Sequence, residues 1–321
     1  MVSINYIFYF DFAVFAVFVT LFITEVMGSV MVLIGWDIYR KGVLDYIVPV
    51  WEVTGTFAAF WVVASDFAFP KVLIPVANIF PWMIMLFLIL FVARNSTIVF
   101  AEFIIKKGWL DERKLFSGYA LSTLLIAVVV LIILSGIIGG TGINLSNLSF
   151  NIGTWASSAG GWLFLIGAVI IALGLAPVFY NVTDMKKITL PFTTLGIAVS
   201  VLAFYALSPS SFSAMVVIPV IMTILAPLLF LIEPLRKIVT NKLFFVGWVS
   251  VDIFTMNFMV YPRAFGNKLP VDAFTTTGPL TGMYFVISLV GVVILGVLVA
   301  LYAYAVRQRS LTKPNDSKIM N

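Results

Sequence analysis

Nine apolar stretches, at roughly 6–35, 44–66, 71–93, 115–138, 160–181, 188–207, 212–232, 243–261 and 280–305, decide what this chain can become. Each is long enough, at about 20 residues, to cross a hydrocarbon core as a helix. Within that core the backbone must satisfy its own hydrogen bonds, which leaves helices as the natural solution for such runs. With 62% hydrophobic and 10% charged residues, a water-soluble globule is excluded. The expectation is a single polytopic, all-α membrane domain over 1–306 with a short polar tail over 307–321.

The basic residues orient the spans. Of 19 Lys and Arg, 16 fall in the gaps after spans one, three, five and seven or in the tail, against Lys71, Arg263 and Lys268 on the opposite side. By the positive-inside rule the N-terminus is outside and the C-terminus cytoplasmic, in agreement with an odd number of crossings. The net charge of +5 is then a topology signal facing anionic lipid, and implies no nucleic acid partner. The first span lacks a basic leader and a small-residue cleavage site, so it reads as a retained helix.

The sequence contains no His and no Cys. Haem, copper, zinc and iron–sulfur sites lean on imidazole and thiolate. The 12 Met are scattered through apolar runs, where they usually pack. The chain is therefore expected to bind no such cofactor by itself, and any redox centre it serves belongs to another subunit.

Two gaps are long. Residues 94–114 mix charge with apolar side chains, so the third helix is expected to run past the bilayer or turn into an interfacial helix. Residues 139–159 are uncharged and rich in Gly, Ser and Asn, which predicts an ordered outer loop. Asn144 and Asn147 each open an Asn-x-Ser sequon there, candidate glycosylation sites that chance could equally supply. Close glycine pairs, Gly167 and Gly174 in the fifth span and Gly291 and Gly296 in the last, suit tight helix contact.

Carboxylates at membrane depth are the costly features. Glu25 lies in the inner half of span one, and Glu52 a similar distance above the start of span two. Joined by a short loop, the two are expected at comparable depth. They read equally as a proton-conducting pair or as neutral acids pinning two helices. Asp252, near the middle of span eight with Thr255 and Asn257 close in sequence, reads as structural first and as a relay second. Asp11 and Asp66 lie nearer the outer surface and are expected to be solvated.

Span two reads Ile47-Val48-Pro49-Val50-Trp51-Glu52-Val53-Thr54, which resembles the Pro-x-Trp-Asp segment of subunit II of cytochrome bd-type quinol oxidases. Glu25-Val26-Met27-Gly28 stands where that family has an acidic, glycine-containing motif, and Arg94 ends span three as the family's arginine does. Tyr261-Pro262, Val271-Asp272-Ala273 and the closing Tyr302-Ala303-Tyr304-Ala305-Val306-Arg307 are similar to the family's C-terminus. The similarity covers the whole chain in order, at low identity. It departs at Trp51-Glu52-Val53-Thr54, where the family has Trp-Asp-Gly-Asn, so the chain resembles a divergent member.

The resemblance implies two four-helix bundles plus one helix, and a haem-free subunit beside a subunit I that carries haems b and d. Small accessory membrane subunits are further candidate partners. The implied reaction oxidises membrane quinol and reduces O2 to water in a prokaryotic plasma membrane. It further implies that Glu52 and Glu25 line a cytoplasmic proton route, with Trp51 and Arg94 as structural or relay members. The rival readings are a secondary transporter using the three acids as ion sites, a quinone-binding anchor of another respiratory complex, and a purely structural assembly subunit.

Overall fold

The computed structural model describes residues 6–103, 111–209, 214–260 and 279–311, almost all of them helical. The first crossing is α1 (Tyr6–Ile34) and the second is α2 (Trp36–Ala68). Only Gly35 separates them, with an extended φ of −154° that breaks the helical path. Hydropathy started the second helix at 44. In the structure it begins eight residues earlier, because the polar turn Asp37 to Lys41 helps the helix project beyond the apolar core, with Asp37 favourably placed in its first turn.

The apolar run 71–93 does not form one rod. It is split into α3 (Pro70–Ile79) and α4 (Pro81–Phe103), with Phe80 bent to φ −114° and ψ 38° between them. Pro81 causes the break: it has no N–H to continue the ladder and constrains the residue before it. Beyond Arg94, α4 continues to Phe103, burying Ile98 and Ala101 while Phe103 stays exposed, so the expected extension of the third helix is present. Residues 104–110 lie outside the described set.

Helix α5 (Glu112–Gly139) is capped by Asp111, whose side chain accepts the Lys114 N–H at 2.8 Å. That hydrogen bond, with the charge of the Lys114 ammonium, holds the Asp111 carboxyl below the usual carboxylate range. The helix ends in a left-handed Gly140 (φ 65°).

The loop over 140–158 is ordered, as its composition suggested. It holds a two-stranded hairpin, β1 (Ile143–Asn144) with β2 (Ser149–Phe150), and the short α6 (Ile152–Ala156). Gly142 (φ 76°) leaves no room for a side chain, since a Cβ would stand 2.8 Å from the Asn151 carbonyl. Trp155 anchors the loop by burying its ring and donating Nε1–H to Ser135 at 2.8 Å.

The second half comprises α7 (Ala159–Phe179), α8 (Lys186–Leu207), α9 (Val217–Leu231), α10 (Glu233–Val239), α11 (Lys242–Val260) and α12 (Pro279–Leu311). Helices α10 and α11 meet at 75°. Among the described residues six helices are long and apolar enough to cross a membrane, seven if the bent α10–α11 pair is one span, and α9 and the Val286–Leu301 part of α12 are shorter apolar helices. The chain is thus an all-α, multi-pass membrane protein. Helix α12 continues through Arg307 to Leu311, so the expected polar tail begins as helix; 312–321 are not described, nor are Tyr261-Pro262 and Val271-Asp272-Ala273.

Helix α1 is the hub, packing on α2, α5, α7 and α11. Helix α4 leans on α5, α8 and α9 extend the α7 side, and α12 lies along α2. The tightest seam is α7 on α8. A Cβ on Gly174 would sit 2.7 Å from the Thr193 backbone nitrogen, and one on Gly196 2.7 Å from that of Ile171, so small residues set this spacing. Gly296, expected to do the same, has nothing within 4 Å of its Cβ position.

Candidate functional site

The acids of α1 and α2 meet quite different fates. Pairing of the two helices is fixed by Thr24 Oγ1 on Tyr46 OH at 2.8 Å and by Ser65 Oγ donating to Asp11 at 2.8 Å. Glu25 lies about 14 Å before the end of α1, whereas Glu52 lies about 24 Å beyond the start of α2, at 1.5 Å per residue. The two are therefore not level. The early start of α2 moves Glu52 to the midpoint of its helix, and the structure does not bring the pair together.

Glu25 is fully enclosed. Arg94 of α4 and Tyr119 of α5 both donate to its Oε2, tying three helices at one carboxylate oxygen. Arg94 is itself 1% exposed; its Nη1 donates to Asn95 at 2.9 Å, and its guanidinium lies 5.1 Å over the Tyr119 ring and 5.7 Å over Phe91. Glu25 Oε1 and Arg94 Nε have no hydrogen-bond partner among the described residues. A buried pair of this kind is costly to break from one side, because the survivor is left as an uncompensated charge. Sequence reasoning named Glu25 and Arg94 separately and missed Tyr119, whose signal was a lone phenol in the fourth span.

Glu52 is exposed on the outer surface of α2; its carbonyl accepts Thr56 Oγ1 at 2.9 Å, and the neighbouring Trp51 is half-buried against the core. Asp66 is exposed as expected, but Asp11 is not solvated. Only 4% exposed, it accepts Ser65 Oγ at 2.8 Å and Trp61 Nε1–H at 3.3 Å. The reason is azimuth: α1 begins at Tyr6 and turns this residue onto α2.

Asp252 is 4% exposed and accepts Thr223 Oγ1 at 2.7 Å, joining α11 to α9, while its Oδ1 has no hydrogen-bond partner among the described residues. Thr255 and Asn257 do not join it. Thr255 back-bonds to Val251, and Asn257 reaches Phe12 O at 3.5 Å.

A second polar knot lies near the basic end of the bundle. Tyr180 OH donates to Thr24 O at 3.0 Å, and Lys242 donates to the Phe179 carbonyl at the end of α7. The Lys242 ammonium sits 3.9 Å from the Phe179 ring centre, 4.7 Å from Tyr180 and 5.8 Å from Tyr46, a cation held on aromatic faces. Neither Lys242 nor these rings were legible as a cluster in the sequence.

Both sequon asparagines are exposed. Asn144 Oδ1 accepts the Ser146 N–H at 3.0 Å and Oγ at 2.6 Å, and Asn147 Oδ1 accepts Ser149 Oγ at 2.7 Å. Among the described residues no group of three or more His, Cys, Asp or Glu side chains could hold a metal ion.

No family model matches the sequence, and no curated protein matches it. A chain of the bd oxidase structure from Geobacillus thermodenitrificans does match in backbone, with a TM-score of 0.71 over 95% of this chain and 97% of that one, at 18% identity. What the two chains share is the fold of a bd oxidase chain.

Proposed function

We propose that this chain is the haem-free subunit II of a bd-type quinol oxidase in a prokaryotic plasma membrane, crossing it nine times as two four-helix bundles plus one helix. The observation that carries this reading is the end-to-end likeness to a bd oxidase chain, 95% of one on 97% of the other. The residues do not fit a haem of this chain's own, since it offers neither imidazole nor thiolate in 321 residues. Haems b and d then belong to a partner subunit I, which supplies the electron transfer from quinol to O2.

This chain's own residues would serve in two ways. Glu25, Arg94 and Tyr119 would hold α1, α4 and α5 in the geometry the partner docks against. Glu52, a carboxylate open to whatever covers α2, would carry protons from the cytoplasmic side toward the partner. Because it stands halfway along α2, groups on the covering subunit would have to complete the route.

The test is to purify the tagged chain with its native partners and record a reduced-minus-oxidised spectrum with quinol and O2. Co-purified b- and d-type haem with quinol-driven oxygen consumption is the expected result. A stable complex without haem would sink the reading.

A further inference from the structure

Between α9 and α11 the chain turns out of the bundle. Ile232 is extended (φ −90°, ψ 110°), Pro234 stands in the first turn of α10, and α10 meets α11 at 75°. With α11 crossing the membrane, α10 lies close to the membrane plane. Its side chains fall into three sectors at about 100° per residue. Val239, 2% exposed, and half-buried Leu235 face the core. Arg236, Glu233 and Lys237 make a polar edge about 100° wide. Pro234 and Ile238 make a second, outward apolar edge beside it, with Ile238 48% exposed. A helix in water gains nothing from that second apolar edge, whereas one at headgroup level sets it against acyl chains.

Arg236 is held in place. Its Nε donates to the Phe230 carbonyl at 3.1 Å, and its guanidinium stands 5.5 Å over the Phe230 ring. The adjoining turn adds two more cations. Lys242, at the start of α11, donates to the Phe179 carbonyl at the end of α7. That bond ties the α10–α11 corner to the α7–α8 turn, where Lys186 and Lys187 are both exposed. Among the described residues neither these lysines nor Arg236 and Lys237 form an ion pair. Glu233 and Asp184 are the acids nearest in sequence, so four cations face two carboxylates and positive charge is in excess. Elsewhere the basic groups are matched: Lys114 pairs with Asp111 at 3.5 Å, and Arg40 with Glu112 at 3.8 Å.

We infer that α10 and the α7–α8 turn seat an anionic phospholipid, its headgroup taken by Arg236, Lys237, Lys186 and Lys187 and its acyl chains lying against Ile238. Cations at the membrane surface each draw anionic lipid with about a fivefold preference. The seat belongs to this chain alone and stands whether or not the chain serves an oxidase.

The purified native complex, stripped of lipid in detergent and offered equal phosphatidylglycerol and phosphatidylcholine, tests this by native mass spectrometry of the lipid retained. The parent should keep phosphatidylglycerol in preference. Lys187→Gln with Lys237→Gln should cut that preference about tenfold or more. Arg113→Gln with Lys114→Gln, an equal loss of charge at the matched corner, should change it less than about twofold. Equal losses from the two pairs would make the attraction diffuse and overturn the seat. Displacement of the retained lipid by inorganic phosphate would also overturn it, marking a site for the free anion. Ile238→Cys, in a chain with no cysteine of its own, reads the orientation of α10. In phosphatidylglycerol vesicles a fluorophore there should be quenched by brominated acyl chains and shielded from aqueous iodide. The reverse would put α10 in water and defeat the inference.

Discussion

Glu25 and Glu52 stand on consecutive helices, yet one is sealed inside the protein with its own cation and the other lies open on the surface. Glu25 draws Arg94 and Tyr119 onto one oxygen and is 0% exposed, so its consequences are for the integrity of this chain. Among the described residues Glu52 contributes only a backbone carbonyl to hydrogen bonds, and its side chain lies on the exposed face of α2. The difference teaches that an acid in a membrane span has to be read by where its side chain points as well as by its depth.

The harshest way to break this contrast is Arg94→Ala. Removing one partner of a buried pair costs about 3–5 kcal/mol, and we expect the purified protein to lose most of its thermal resistance to aggregation in detergent. The double variant Glu25→Leu with Arg94→Leu removes both charges and should recover much of that loss, because well-packed apolar replacements are often neutral. If Arg94→Ala is as heat-resistant as the parent, the enclosed site is not what holds α1, α4 and α5 together.

A second contrast of closed and open positions involves glycines. Gly174 faces the Thr193 backbone nitrogen at 2.7 Å from its Cβ position, whereas Gly296 faces open space. Gly174→Ala must push α7 from α8, and overpacking of this kind costs about 1–3 kcal/mol. Gly296→Ala should be neutral or stabilising by up to about 1 kcal/mol through helix propensity. Equal melting temperatures for the two variants would mean that the α7–α8 seam can relax.

These contrasts mark how far the sequence could be read. The helices were legible because each apolar run has to hydrogen-bond internally. Azimuth was not legible. In water an apolar stripe marks the buried face, but lipid is as apolar as the core, so the two faces of a membrane helix differ little in hydropathy. Asp11 and Asp66 looked alike near the outer end, yet only Asp11 turns inward. Tyr119 is 94 residues from Glu25, and no local spacing rule joins them. The break at Phe80 was half legible: Pro81 was visible, but a proline in a membrane run signals a kink as readily as a new helix.

The gentlest test bears on the open site. Glu52→Gln changes an exposed carboxylate that makes no side-chain hydrogen bond within this chain's described residues, so its effect on the stability of the isolated chain should stay within about 0.5 kcal/mol. In the complex the amide keeps the shape and accepting oxygen of the carboxylate, and haem content should be preserved. What the amide cannot do is gain and lose a proton. Loss of a positioned acid–base group commonly costs a factor of about 10²–10⁴ at a proton-transfer step, so quinol-driven oxygen consumption should fall at least about tenfold if that step limits turnover. Glu52→Asp, which keeps the proton but withdraws it by one methylene, should retain most of the activity. Full turnover in Glu52→Gln would remove the proton role and leave Glu52 only as a contact for whatever covers α2.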